Sequence, residues 1–384
     1  MKQPVLELIS WGGDPDSERD ATFAKAWLRA QYAETIRERR AGSTDKDWEL
    51  IGNTFHRWIR DNAERVGAGD AEQNLRLITA EFPFFARVYR TILDASTSYT
   101  PGLEPLFYNA HNDFTWQPTV LLAPLVVGDD DETVRRKLAA TATFLDIWVM
   151  RRASNYIRVG CSSVSYAMWS LCRDIRGKSL EQLVATLRDK LEADAVDVSF
   201  DGSTSRNRHG ITELALNQFS RRYIYHLLAR LTAFTEIGAG KPDPFATYVD
   251  RSGSNSLDIE HIWADNYAAF TDEFPTAQEF HEWRDRVAGL LLLPADVNRS
   301  LQDKPFEEKA PTYRGQNFFA ASLTEGAYRH QPQFSAFGER TMLPFKPCEH
   351  FGKAEQVERR QLVLALANEV WSPTRLDQYL AAGS

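Results

Sequence analysis

Cysteine is scarce in this chain. Only Cys161, Cys172 and Cys348 occur in 384 residues. They are odd in number and widely spaced, which excludes a disulfide framework and gives no support for a structural zinc site. Such sparing use fits a reducing cytoplasm, and a cytoplasmic location is expected. Long apolar runs are also missing. Nothing approaches the roughly 18 residues a membrane span requires. The start, Met1-Lys2-Gln3-Pro4, lacks the basic-then-apolar order of a secretory signal. Positive charge is short as well, with a net charge of −8. That weighs mildly against a nucleic-acid binder, but local patches bind phosphate and whole-chain sums do not. No repeat and no low-complexity tract occurs. No Gly-x-x-x-x-Gly-Lys-Ser/Thr loop is present to cradle a nucleoside triphosphate.

What is present is an ordinary globular composition, 43% hydrophobic and 26% charged, with 10 Trp, 13 Tyr and 22 Phe. The length suits two or three domains with a sizeable core. Helical spacing dominates the first part. Phe23, Trp27, Ala30 and Tyr32 mark residues 18–65 as helical. A second helical stretch starts near Asp70, and Phe82-Pro83-Phe84-Phe85 is expected to break or kink it. Pro101, Gly102 and Pro105 mark 96–116 as a loop. Helices return from about 117 to 235. Asp129 to Glu132 is a helix start with carboxylates at the positive end of the dipole. Helices are expected over 139–156, from Ser179, and over 211–235. The region 320–350 reads as loop-rich, and Gln356 to Trp371 as a closing helix. The expected class is mainly α: a helical domain over 1–235, then a smaller mixed unit over 236–384.

The informative stretch lies in that second unit. Ser256-Leu257-Asp258-Ile259-Glu260-His261-Ile262 follows a polar, Gly-containing segment over 250–256 and reads as a strand. Gly289 to Leu293 reads as its partner, with a helix over 276–283 between them. Pro294 ends the second strand. Asp296 caps a following helix, and Asn298 sits in its first turn. This order suits phosphodiester hydrolysis. An imidazole has the pKa to deprotonate water near neutral pH. Hard oxygen donors suit Mg²⁺ or Mn²⁺ on the phosphate. His261 is thus the candidate base, with Asn298 beside it. Glu260 and Asn298 are the candidate metal ligands. Neighbours on a strand face opposite ways, so Glu260 and His261 share a site only if the strand ends or twists there. Arg299, Lys304 and Lys309 are candidate contacts to DNA phosphates. Residues 284–314 carry six basic against five acidic side chains, a slight gathering of positive charge in a negative chain.

These residues resemble the ββα-metal, or HNH-type, nuclease fold. More narrowly they are similar to the nuclease part of the GmrSD-type restriction proteins, with Ile259-Glu260-His261-Ile262, then 287–293, Asn298, and Phe306-Glu307-Glu308-Lys309. Glu355 to Arg360 followed by Trp371 is similar to that family's closing helix, and Ile147 to Arg152 to its middle segment. The resemblance is strongest over 256–315. It implies a helical amino-terminal region, an HNH-like nuclease unit with its ββα core over 256–315, and a carboxyl-terminal helix. It implies a metal-dependent DNA endonuclease or nickase of an antiviral restriction system, acting on double-stranded DNA. A phosphorothioate-sensing defence nickase of the SspE kind fits the same pattern. The family's usual Gly-Asn-Leu is Ala288-Gly289-Leu290 here, so the supporting asparagine is missing. The family's NTP-handling half, with its Asp-Gly-Gln-Gln-Arg motif, is also missing, and the expectation is that an NTPase half of the same protein supplies it.

Two other readings stay open. A degenerate hairpin that only binds DNA or docks a partner is favoured by Gly289. An RNase keeps the site and changes the substrate. His56, His111, His209, His226, His281, His330 and His350 show no partner pattern and read as structural or exposed.

Overall fold

A computed structural model describes residues 19–252 and 256–381. The expectation for the Met1–Pro4 start, and part of that for the polar segment at 250–256, lie outside the described residues. The chain is mainly helical, with one two-stranded sheet among the described residues. No described helix is long and apolar enough to cross a membrane. Two compact units appear. One comprises Met1–Trp148, Arg158–Ala193 and Pro373–Ser384; the other comprises Val149–Ile157 and Asp194–Ser372.

In the first unit, helices Arg19–Tyr32 and Asp47–Asp61 are separate, joined by a non-helical segment within the stretch expected to be helical. Asp47 organises that connection. Its carboxylate accepts from the backbone amides of Glu34 and Thr35, from Trp58 Nε1 and from Arg65. Burial raises the pKa of this carboxyl, but the hydrogen bonds outweigh it and hold the group below its ordinary value. The expected break at Phe82-Pro83 is instead a π turn, Leu77–Glu81, between the helical segments Ala71–Arg76 and Phe82–Thr97. The wider turn lies just ahead of a proline that has no N–H to donate. Phe23 and Trp27 pack edge-on to Phe82, giving this unit an aromatic core. The expected loop at 96–116 contains a helix, Glu104–His111. Pro105 sits in its first turn, where a missing N–H costs nothing.

The second unit is built around the sheet. Strand β1 is Leu257–His261 and β2 is Leu290–Pro294. They pair antiparallel, with Leu257 opposite Pro294 and His261 opposite Leu290. Leu290 to Leu293 are each 0% exposed, so β2 is covered on both faces. A short unbroken apolar run between turn signals is the pattern of such a strand. Helix Arg221–Gly238 packs on β2 and on the long helix Lys353–Val370. The expected domain boundary at 235 falls inside Arg221–Gly238. The region expected to be loop-rich, 320–350, holds the helices Glu325–His330 and Pro332–Thr341. Arg152, in the last turn of helix Asp131–Ser154, makes a two-pronged pair with Asp194 at 2.6 and 2.8 Å.

Candidate active site

The connection between β1 and β2 determines what surrounds His261. Trp263, Phe270, Phe274 and Phe280 stack against one another within about 6 Å. Each such pair is worth roughly 0.5–1.5 kcal/mol beyond its area. This aromatic knot anchors helix Ala277–Arg284, whose start is capped by the Thr276 side chain on the Glu279 amide. Asp285 follows at the end of that helix. Its carbonyl accepts from the Leu216 amide at 2.7 Å, and its Oδ1 lies 3.0 Å from His261 Nε2. A carboxylate accepting from Nε2–H leaves the Nδ1 lone pair free. The His261 side chain is 20% exposed, so the ring is partly open to solvent. Sequence reading passed over Asp285 as an acidic residue in a charge count. Only folding brings it across 24 residues to the histidine.

Glu260 faces the other way. It is 5% exposed, and its Oε1 accepts from Lys309 Nζ and from the Tyr313 hydroxyl, each at 2.8 Å. Lys309 also donates to the His261 carbonyl oxygen at 2.8 Å. Burial first, then the charge of Glu260, raise the Tyr313 phenol far above its ordinary pKa, so it stays a donor. The strand ends at His261, yet Glu260 and His261 do not share one site. Lys309 ties the Glu260 carboxylate to the last carbonyl of β1.

This corrects two expectations. Lys309 is 1% exposed and offers no charge to a phosphate at the surface. Glu260 has its charge answered by a buried ammonium, which opposes a second cation on the same oxygen. Glu260 therefore does not fit the expected metal role. Tyr313 was missed, although its spacing of four residues from Lys309 puts both on one helix face.

Asn298 lies on helix Ala295–Leu301, directly after β2. Its Nδ2 donates to the Ile259 carbonyl oxygen at 3.2 Å. That bond orients the amide and leaves Oδ1 as a hard oxygen donor. Ile259 is two residues before His261 on β1. The donor chemistry at Asn298 fits Mg²⁺, which keeps several waters and takes few protein ligands. No cluster of three or more His, Cys, Asp or Glu able to hold a metal occurs among the described residues. Arg299 and Lys304 are exposed, as a phosphate contact requires. Of the other histidines, His281 makes a surface pair with Asp265 at 3.6 Å.

Gly289 occupies the position of the missing asparagine. A Cβ there would meet the Gln356 amide at 2.6 Å and the Arg284 carbonyl at 3.3 Å. Gln356, from the closing helix, donates to the Trp283 carbonyl at 2.9 Å and is fully buried. Its side chain fills the space that a residue larger than glycine would need.

A strand ending in a histidine, an antiparallel partner and a following helix with an asparagine form a hairpin-and-helix unit. Residues 189–333 match the family model for GmrSD restriction endonucleases, C-terminal domain. That segment is similar to the C-terminal domain of GmrSD-type restriction endonucleases, and it contains both strands, Asn298 and Lys309. DNA cleavage of the restriction-endonuclease type is the activity this match implies. No curated protein matches the chain.

Proposed function

We propose that the chain is a metal-dependent DNA endonuclease that nicks one strand at a time, as part of an antiviral restriction system. The observation that carries this reading is the His261–Asp285 pair at the end of β1, with Asn298 tied to the carbonyl of Ile259, two residues before His261 on the same strand. His261 Nδ1 takes a proton from a water, and the resulting hydroxide attacks the scissile phosphorus. Asp285 holds the ring and favours the imidazolium that forms. Asn298 Oδ1 is the protein donor for a divalent cation. When bound, Mg²⁺ or Mn²⁺ supplies positive charge to the phosphate oxygens and the departing 3′ oxygen. Arg299 and Lys304 contact the DNA backbone. Glu260, Lys309 and Tyr313 act behind the strand as positioning residues. One site cuts one strand, so nicking is the expected product. The three cysteines are free, which fits a cytoplasmic setting.

His261→Ala is expected to lower plasmid nicking by at least about a hundredfold, the contribution of a positioned base. DNA binding should persist. EDTA should abolish cleavage by the unaltered protein. Nicking by His261→Ala at the original rate would sink the mechanism. The rival reading, a DNA-binding module without catalysis, has Gly289 in its favour; it predicts no nicking with or without added Mg²⁺ or Mn²⁺.

A further inference from the structure

The helical unit contains a cleft of about 590 Å³ that the nuclease reading leaves unused. Its volume falls within the roughly 300–1,000 Å³ of small-molecule sites. The walls combine flat aromatic rings with guanidinium groups. Trp48 and Trp116, both buried, lie 5.0 Å apart between ring centroids and form the floor, and Tyr166 is the exposed ring. The Arg29 guanidinium sits 5.1 Å from both indoles, and the Arg39 guanidinium 5.1 Å from the Tyr166 ring. Gly52 has no side chain and so leaves Arg29 room to lie there. Ser165 accepts from Trp48 Nε1 at 2.9 Å, which fixes the indole plane.

The charges in this cleft are not balanced within it. Glu38 pairs with Arg40 at 2.8 Å, and Glu49 accepts the Arg37 and Lys46 amides. Arg37 pairs with Asp45 at 3.2 Å. The carboxylates on the wall are therefore engaged. Arg29 and Arg39 make no ion pair among the described residues. Burial depresses the pKa of Arg29, a sign that its charge is incompletely solvated. An apolar ligand would leave both guanidinium groups without an anion. Inorganic phosphate would leave the exposed Tyr166 ring unused. A planar ring joined to a phosphate satisfies both, by stacking and by charge-assisted hydrogen bonds.

We propose that this cleft binds a nucleoside phosphate, either as a free nucleotide or as one unit of a single nucleic-acid strand. Isothermal titration of the full chain tests this with three probes: a mixture of deoxynucleoside 5′-monophosphates, a twelve-residue oligo-dT, and inorganic phosphate. Arg39 and Tyr166 are exposed, so Arg39→Ala and Tyr166→Ala are expected to keep the fold, which a thermal melt checks. Saturable binding of a nucleotide or of the oligonucleotide is expected, with roughly tenfold weakening in each variant. Phosphate alone should bind at least about tenfold more weakly than a nucleotide. A response to the nucleotides alone assigns a free nucleotide as ligand; a response to oligo-dT alone assigns a strand. The proposal fails if neither binds, if phosphate alone binds as well as a nucleotide, or if the Arg39→Ala/Tyr166→Ala double variant keeps the original affinity.

Discussion

Each unit of this protein contains a buried lysine held in the same way. In the helical unit, Lys137 donates to both oxygens of Asp129 and to the Pro124 carbonyl, at 2.8–3.1 Å. In the hairpin unit, Lys309 donates to Glu260 and to the His261 carbonyl, each at 2.8 Å. Both ammonium groups join a carboxylate to a backbone carbonyl, and both lysine side chains are at most 3% exposed. They differ in what the tied carbonyl belongs to. Lys137 secures the segment leading into helix Asp131–Ser154, and neither it nor its partners line the aromatic cleft of that unit. Lys309 secures the backbone of the candidate base. The same electrostatic device is structural in one unit and holds the backbone of the candidate base in the other. A buried ion pair therefore says little about function until its neighbours are named.

The sharpest way to break this comparison is to remove both lysines in turn. Lys309→Met should cost about 3–5 kcal/mol, because it strands the buried Glu260 carboxylate; Lys137→Met should cost less, because Asp129 is partly exposed. Denaturant unfolding measures that cost. Only Lys309→Met should also lower nicking per folded molecule; an equal effect on nicking from both would end the distinction. Tyr313→Phe is a gentler companion, expected to cost about 1 kcal/mol of stability.

A smaller effect is expected at Asp285. Asp285→Asn keeps the shape but permits the wrong imidazole tautomer. Nicking should fall about a hundredfold while stability stays nearly unchanged. An unaltered rate across pH 5–9 would show that Asp285 does not orient the base. The smallest effect belongs to the helical unit. Asp47→Asn should cost about 1–3 kcal/mol through hydrogen bonds left unmade. The Asp47 carboxyl is held below its unfolded value of about 3.9. Its contribution is therefore present above that value and lost as pH falls through the folded one. The gap between Asp47→Asn and the original protein should narrow in acid. A gap that widens below pH 4 would contradict the assignment.

Much of the candidate site is legible in the sequence because it is local. The leucine run, Pro294 and Asn298 follow one another along the chain, and the structure brings the same residues together as strand, turn and helix. The helix at Glu104–His111 was less legible. Pro101, Gly102 and Pro105 suggest a loop, and only the tolerance of a first helical turn for proline reconciles them with helix. The π turn at Leu77–Glu81 has no sequence signature beyond the proline that follows it.

The sequence alone determined the mainly helical class, the order strand–strand–helix, and the presence of a histidine at the end of one strand. Periodicity and turn chemistry act over a few residues, so these features can be read one segment at a time. The tertiary structure alone decided which charges meet. His261 finds Asp285 across 24 residues and Glu260 finds Lys309 across 49. Those pairings depend on how the aromatic knot and the helix Phe306–Tyr313 pack, because an ion pair depends on distance through space. The same packing turned Glu260 and Lys309 inward and left Arg299 and Lys304 exposed, with Asn298 partly so.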